Sequence, residues 1–203
     1  MKSATLLARF ISLIFHPLLI PTWGFLLLFN SGFYFSLVTW PVQRFVLLVV
    51  FLSTCLLPLL TIGILSINPR FNRNMEKSSD RIIPLLLSSV YYYIGYYMLG
   101  RVPVYPAYKL FLISSILIIV LLLIISIKWK ISNHMAAIGG IVGGFLGLTF
   151  RLDVNTTGTI ILLILISGFL GTSRLMLEKH TPSQIYAGYF LGLSTMYLIM
   201  TFI

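Results

Sequence analysis

Apolar runs of bilayer-spanning length constrain this chain more than any other feature. They fall at about 4–29, 44–67, 82–99, 108–127, 134–150, 158–173 and 182–203, separated by polar or Gly/Pro breaks. A hydrocarbon core of ~30 Å takes about 20 helical residues to cross. With 59% of the 203 residues hydrophobic and only 9% charged, a water-soluble core is excluded. The pattern predicts an all-α polytopic transmembrane bundle of six or seven helices, forming a single integral membrane domain over residues 1–203. The runs 82–99, 134–150 and 158–173 are short for the core, so some helix ends must sit deep or tilt. In the first run, His16-Pro17 and Pro21 predict a kink or a re-entrant bend. No small-residue cleavage pattern follows that run, so it reads as a retained helix and not as a signal peptide.

Charge is distributed unevenly between the connectors. Those at 30–43, 100–107 and 151–157 carry few charges, whereas 68–81 (NPRFNRNMEKSSDR), 128–133 (KWKISN) and 174–181 (RLMLEKHT) are crowded with polar groups. Rich and poor connectors alternate, so with seven spans all three rich ones share one face. That face, with the N-terminus, holds Lys2, Arg9, Arg70, Arg73, Lys77, Arg81, Lys128, Lys130, Arg174 and Lys179; the other holds Arg44, Arg101, Lys109 and Arg151. The positive-inside rule assigns the rich face to the cytoplasm.

The formal charge of +10 would suggest nucleic acid in a soluble protein, but in a bilayer it points to anionic lipid and to a phosphate-binding pocket. The four acids, Glu76, Asp80, Asp153 and Glu178, are too scattered for a paired-carboxylate magnesium site. The sole cysteine, Cys55, lies in an apolar run, which argues against disulfides and thiolate metal sites. No cofactor and no nucleic-acid partner is expected; the expected partner is the bilayer.

Ionisable groups at the edge of a membrane bundle are costly to dehydrate, so each asks for a function. In SRLMLEKHTPSQ, Thr181 suits an N-cap, Pro182 a first turn and Gln184 the third position of a capping box, but a cap needs neither Arg174 nor His180. His180 would stand just before a helix N-terminus, where backbone N–H groups and the helix dipole favour an anion. Ser132-Asn133-His134 before Met135-Ala136-Ala137 repeats the arrangement with a second histidine. Lys77 and Arg81 are four apart, on one face if helical, with Pro84 shortly after. The glycines in IGGIVGGFLG (139, 140, 143, 144 and 147), with Gly188 and Gly192, read as close helix packing. His16 reads as a packed or hydrogen-bonded helix residue outside any site, and the cluster Tyr91-Tyr92-Tyr93 with Tyr96-Tyr97 as packing or an interfacial belt.

Over about residues 73–192 these features resemble the type 2 phosphatidic acid phosphatase (PAP2) superfamily of membrane lipid phosphatases. Its motifs run Lys-x6-Arg-Pro, Pro-Ser-Gly-His and Ser-Arg-x5-His-x3-Asp. Ser173, Arg174 and His180 match the third, with Gln184 at the position of the Asp; Ser132 and His134 match the second, with Ile131 and Asn133 replacing Pro and Gly; Lys77, Arg81 and Pro84 approximate the first. The resemblance implies a PAP2-like core over about 68–203 and a metal-independent phosphatase in a bacterial inner membrane, acting on a lipid phosphate or polyprenyl diphosphate. It also implies a nucleophilic role for His180, which forms a phosphohistidine, and a general-acid role for His134, with Gln184 holding the nucleophile. Lys77, Arg81, Ser132, Asn133, Ser173 and Arg174 would bind the phosphate. The alternative is a non-catalytic phospholipid-binding or scrambling protein that keeps the pocket. A small transporter is disfavoured, since no inverted repeat or pair of broken helices is evident.

Overall fold

The computed structural model describes residues 2–67 and 79–203 of the chain. It is a helical bundle in which six helices are long and apolar enough to cross a membrane. Two shorter helices, α1 (Lys2–Ile14) and α2 (Ile20–Phe29), precede them. The six are α3 (Trp40–Leu65), α4 (Ile82–Gly100), α5 (Pro106–Ser126), α6 (Asn133–Leu152), α7 (Thr157–Met176) and α8 (Pro182–Phe202). The protein is an integral membrane protein. Its outward surface is built of side chains such as Phe150, 71% exposed, and Phe169, 62% exposed, while small residues such as Ala136 are fully buried. That arrangement is stable only against lipid, where helix association depends on close packing.

The first apolar run is not one span but two short helices. Pro17 lacks an N–H and its ring blocks a continuous helix, so the chain turns at His16, whose carbonyl accepts the N–H groups of Leu19 (2.8 Å) and Ile20 (3.1 Å). Pro21 then suits the first turn of α2. From this break α2 runs along the bundle, with Phe25 edge-on to Phe111, Phe29 edge-on to Tyr108, and Tyr34 beyond it edge-on to Tyr105. It thus reaches the charge-poor end, where α3 begins. In α3, Pro58 has no N–H for the Thr54 carbonyl, and just ahead of it the helix widens into a π turn over Leu52–Leu56.

α6 and α8 form the tightest pair. Both run from the polar end, so they are parallel, with α7 returning the chain between them. The glycines of α6 face the backbone of α8 at a four-residue interval: a Cβ added at Gly139 would meet the Tyr189 carbonyl, one at Gly143 the Leu193 carbonyl, and one at Gly147 the Tyr197 carbonyl at 2.8 Å. Gly192 of α8 answers against the Ala136 carbonyl, and a Cβ added at Gly188 would lie 2.6 Å from the Ser132 carbonyl. A Cβ at any of these points would collide with rigid backbone.

Substituting Gly192 by Ala should therefore force α6 and α8 apart and cost about 1–3 kcal/mol, the range for overpacking. Gly168→Ala, where a Cβ meets nothing within 4 Å, should cost nothing. Thermal unfolding of both variants in detergent checks the contrast, and equal stabilities would contradict the seam.

Candidate active site

The polar end of the bundle brings together the N-termini of α4, α6 and α8. Each junction has a local cause. α7 ends in a Schellman turn: the N–H of Lys179 donates to the Arg174 carbonyl (3.2 Å), that of Glu178 to Leu175 (2.9 Å), and Glu178 takes the left-handed conformation at φ 52°. Two residues later Thr181 caps α8 in a capping box with Gln184. Arg174 is thus held in the last turn of α7 and His180 immediately before α8. The three junctions are tied together. Arg81 donates from Nη1 to the Ile131 carbonyl (2.8 Å), and the N–H of Ser132 donates to the Gln184 carbonyl (3.2 Å).

A cavity of about 360 Å³ opens between these ends. Its polar wall consists of Arg81, Asn133, His134, Arg174, His180 and His16; its apolar wall includes Leu59, Leu85, Phe111, Ile118, Ile141 and Met196. No carboxylate lines it among the described residues. Arg81 and Arg174 are close enough to repel one another. Arg174 Nε and Asn133 Oδ1 are buried without a hydrogen-bond partner among the described residues. Rotating the Asn133 amide would present an N–H donor in place of the oxygen. Ser132, the N-cap of α6, makes no side-chain capping bond. The first N–H groups of α6 are thus left without the usual side-chain cap at the polar wall. Partly dehydrated cations, a helix N-terminus and orphaned polar atoms suit an anion. No three His, Cys, Asp or Glu side chains are grouped to hold a metal ion among the described residues.

The tautomer of His180 follows from its neighbours. The Thr181 backbone N–H lies 3.2 Å from Gln184 Oε1, and an N–H can donate only to the oxygen end of that amide. Nδ1 of His180 is 3.1 Å from the same oxygen and must therefore carry the ring proton. Nε2 keeps its lone pair. Burial, and then the charge of Arg81, hold the imidazole down at about 4, despite the hydrogen bond to Gln184 that favours the charged form. At neutral pH the ring is uncharged and nucleophilic.

Of the residues expected at the site, Arg81, Asn133, His134, Arg174 and His180 line the cavity. Gln184 stands behind His180 and orients it. Ser173 is turned into its own helix, its hydroxyl donating to the Phe169 carbonyl at 2.7 Å. Ser132 is fully buried, its hydroxyl without a partner among the described residues, and it is not part of the lining. Lys77, with Arg70 and Arg73, lies outside the described residues. Glu178 is exposed at the α7 turn and takes no part. His16 is the residue the sequence reading missed. It lines the cavity, its ring edge-on to that of His134 with centroids 5.4 Å apart. The available signal was an ionisable side chain at a proline break inside an apolar run. Comparison with protein-family models, curated proteins and solved structures finds no match to the chain.

The low His180 value has a consequence for stability. As pH falls through about 6.5 the unfolded chain takes up a proton at this ring, but the folded chain does so only near about 4. Acid therefore favours unfolding across that window. The difference in stability between wild type and His180→Gln should shift against wild type between those values and be flat above them. Thermal unfolding in detergent at a series of pH values tests this, and a pH-independent difference would remove the buried neutral imidazole.

Proposed function

We propose that this protein is a metal-independent membrane phosphatase of PAP2 type that hydrolyses a lipid phosphate or polyprenyl diphosphate through a phosphohistidine. The observation that carries the reading is one cavity whose polar wall joins two arginines and three histidines, with no lining carboxylate among the described residues, to an apolar wall inside the bundle. Such a cavity suits a ligand with an anionic head and a hydrocarbon tail.

In this reading Nε2 of His180 attacks phosphorus and a P–N bond forms. The bond from phosphorus to the leaving oxygen breaks, its electron pair going to that oxygen, which takes a proton from His134, charged by a proton taken up with the anionic head of the substrate. His134 then removes a proton from water as the water attacks phosphorus, the P–N bond breaks, and inorganic phosphate leaves with His180 restored. Arg81, Arg174 and the α6 N–H groups stabilise the charge on the non-bridging oxygens. Gln184 keeps the proton on Nδ1 and so supports nucleophilic Nε2, but its neutral carbonyl stabilises a charged imidazole less than a carboxylate would. That neutrality favours one competing reading, a lipid-phosphate-binding or scrambling protein without turnover. The expected location is a bacterial inner membrane.

Phosphate release by purified protein, in EDTA, from phosphatidate and from a polyprenyl diphosphate tests the proposal. Release should persist in EDTA and fall by roughly 10²–10⁴-fold in His134→Ala, the usual contribution of an acid–base group. In His180→Ala it should vanish. No release from wild type, with Arg174-dependent binding of the same lipids, would shift the conclusion to the binding protein. A large gain in Gln184→Asp would then identify the missing charge as the cause.

A further inference from the structure

We infer that His16 is a third histidine of this site, one that contacts the leaving group and makes the site selective for a phosphoanhydride, a lipid whose leaving group is itself a phosphate. The inference rests on the phosphatase reading and specifies its substrate.

His16 is held from both sides of the α1–α2 break. Trp23 donates from its indole N–H to the Ile14 carbonyl at 3.1 Å, and Thr54 of α3 donates its hydroxyl to the Leu18 carbonyl at 3.4 Å. The Leu18 N–H donates to Nδ1 of His16 at 3.4 Å. The neutral ring therefore bears its proton on Nε2, away from its own backbone, as a donor on a side chain that lines the cavity.

His16 and His134 stand ring to ring in the cavity, edge-on with centroids 5.4 Å apart, and Arg81, Arg174 and His180 line the same cavity. In an in-line displacement the attacking and leaving atoms lie on opposite sides of phosphorus. With His180 attacking and His134 protonating the leaving oxygen, His16 lies beside that acid on the leaving-group side. A lipid monophosphate offers its alkyl carbon there, and a donor beside carbon makes no hydrogen bond. A diphosphate offers the oxygens of the departing phosphate. The bridging P–O bond breaks, its electron pair stays on the bridging oxygen, His134 supplies the proton, and His16 donates to a non-bridging oxygen of the departing group. Arg174, an electrostatic neighbour of all three histidines, can serve both phosphates.

The test measures binding and needs no turnover. Affinities of detergent-solubilised protein are compared for an alkyl phosphonate, for the alkyl methylenediphosphonate with the same chain, and for methylenediphosphonate without a chain. Wild type should prefer the alkyl diphosphonate over the monophosphonate. A hydrogen bond to a charged group is worth about tenfold or more in affinity, so that ratio should fall by about that factor in His16→Leu. It should return in His16→Gln, whose amide N–H can replace Nε2–H. A ratio unchanged in His16→Leu, or not restored in His16→Gln while the alkyl phosphonate still binds, overturns the role of His16 and leaves the phosphatase reading standing. Failure of both alkyl ligands to bind wild type overturns both. Equal affinity for the chainless and alkyl diphosphonates would overturn the lipid assignment, making the ligand a soluble diphosphate.

Discussion

The contact between α6 and α8 sets everything else in this protein. A helix pair in lipid gains nothing from burying apolar surface, since lipid is equally apolar, and must gain from close approach. Gly139, Gly143 and Gly192 each bring a backbone against a carbonyl of the partner helix. The two helices are parallel, so the same approach that packs their centres also sets their N-termini side by side. At one N-terminus stands His134 and just before the other His180, and the hydrogen bond from Ser132 N–H to the Gln184 carbonyl closes the seam at its polar end. Residues fifty to fifty-six apart in sequence face each other along it, so the relation between the two histidines is set by the helix packing.

Around that fixed pair the bundle concentrates positive potential. Three helix N-termini, Arg81 and Arg174 face one cavity, and the guanidiniums repel each other. Removing such charges from water is costly without compensation. Asp80 eases Arg81, but none of the lining residues does so for the cavity as a whole. An anion between the guanidiniums would offset that cost, as is common where a fold prepares a binding geometry in advance. Gln184 fits this economy of charge. It caps α8, fixes the proton of His180 on Nδ1 and adds no negative charge beside the cavity.

Much of this was legible in the sequence. Spans follow from hydrophobic length, and the alternation of charged and uncharged connectors is enough to gather Arg81, His134 and His180 at one end. The cap at Thr181 and the glycine interval are local patterns with local causes. What was not legible depends on directions that spacing does not encode. Ser173 precedes Arg174, yet one residue along a helix is a turn of about 100°, and its hydroxyl bonds to its own helix. Glu178 adopts a left-handed conformation at a position where glycine is the usual choice, so no residue type announces the turn. His16 is the instructive case. Its contact with His134 spans more than a hundred residues, and only tertiary packing creates it.

The α1–α2 break explains why that packing matters for chemistry. A continuous first helix would carry the His16 ring past the cavity at whatever angle the lipid-facing surface required. Breaking at Pro17 frees the backbone around His16 from the helical hydrogen-bond ladder, and the turn then reuses the freed groups: the His16 carbonyl takes two N–H donors and its Nδ1 takes a third. The same proline that costs the membrane segment its regularity thus fixes the histidine's position and its protonated nitrogen. Irregular backbone at membrane depth survives where it lines a cavity, and here the cavity it lines already holds two histidines and two arginines.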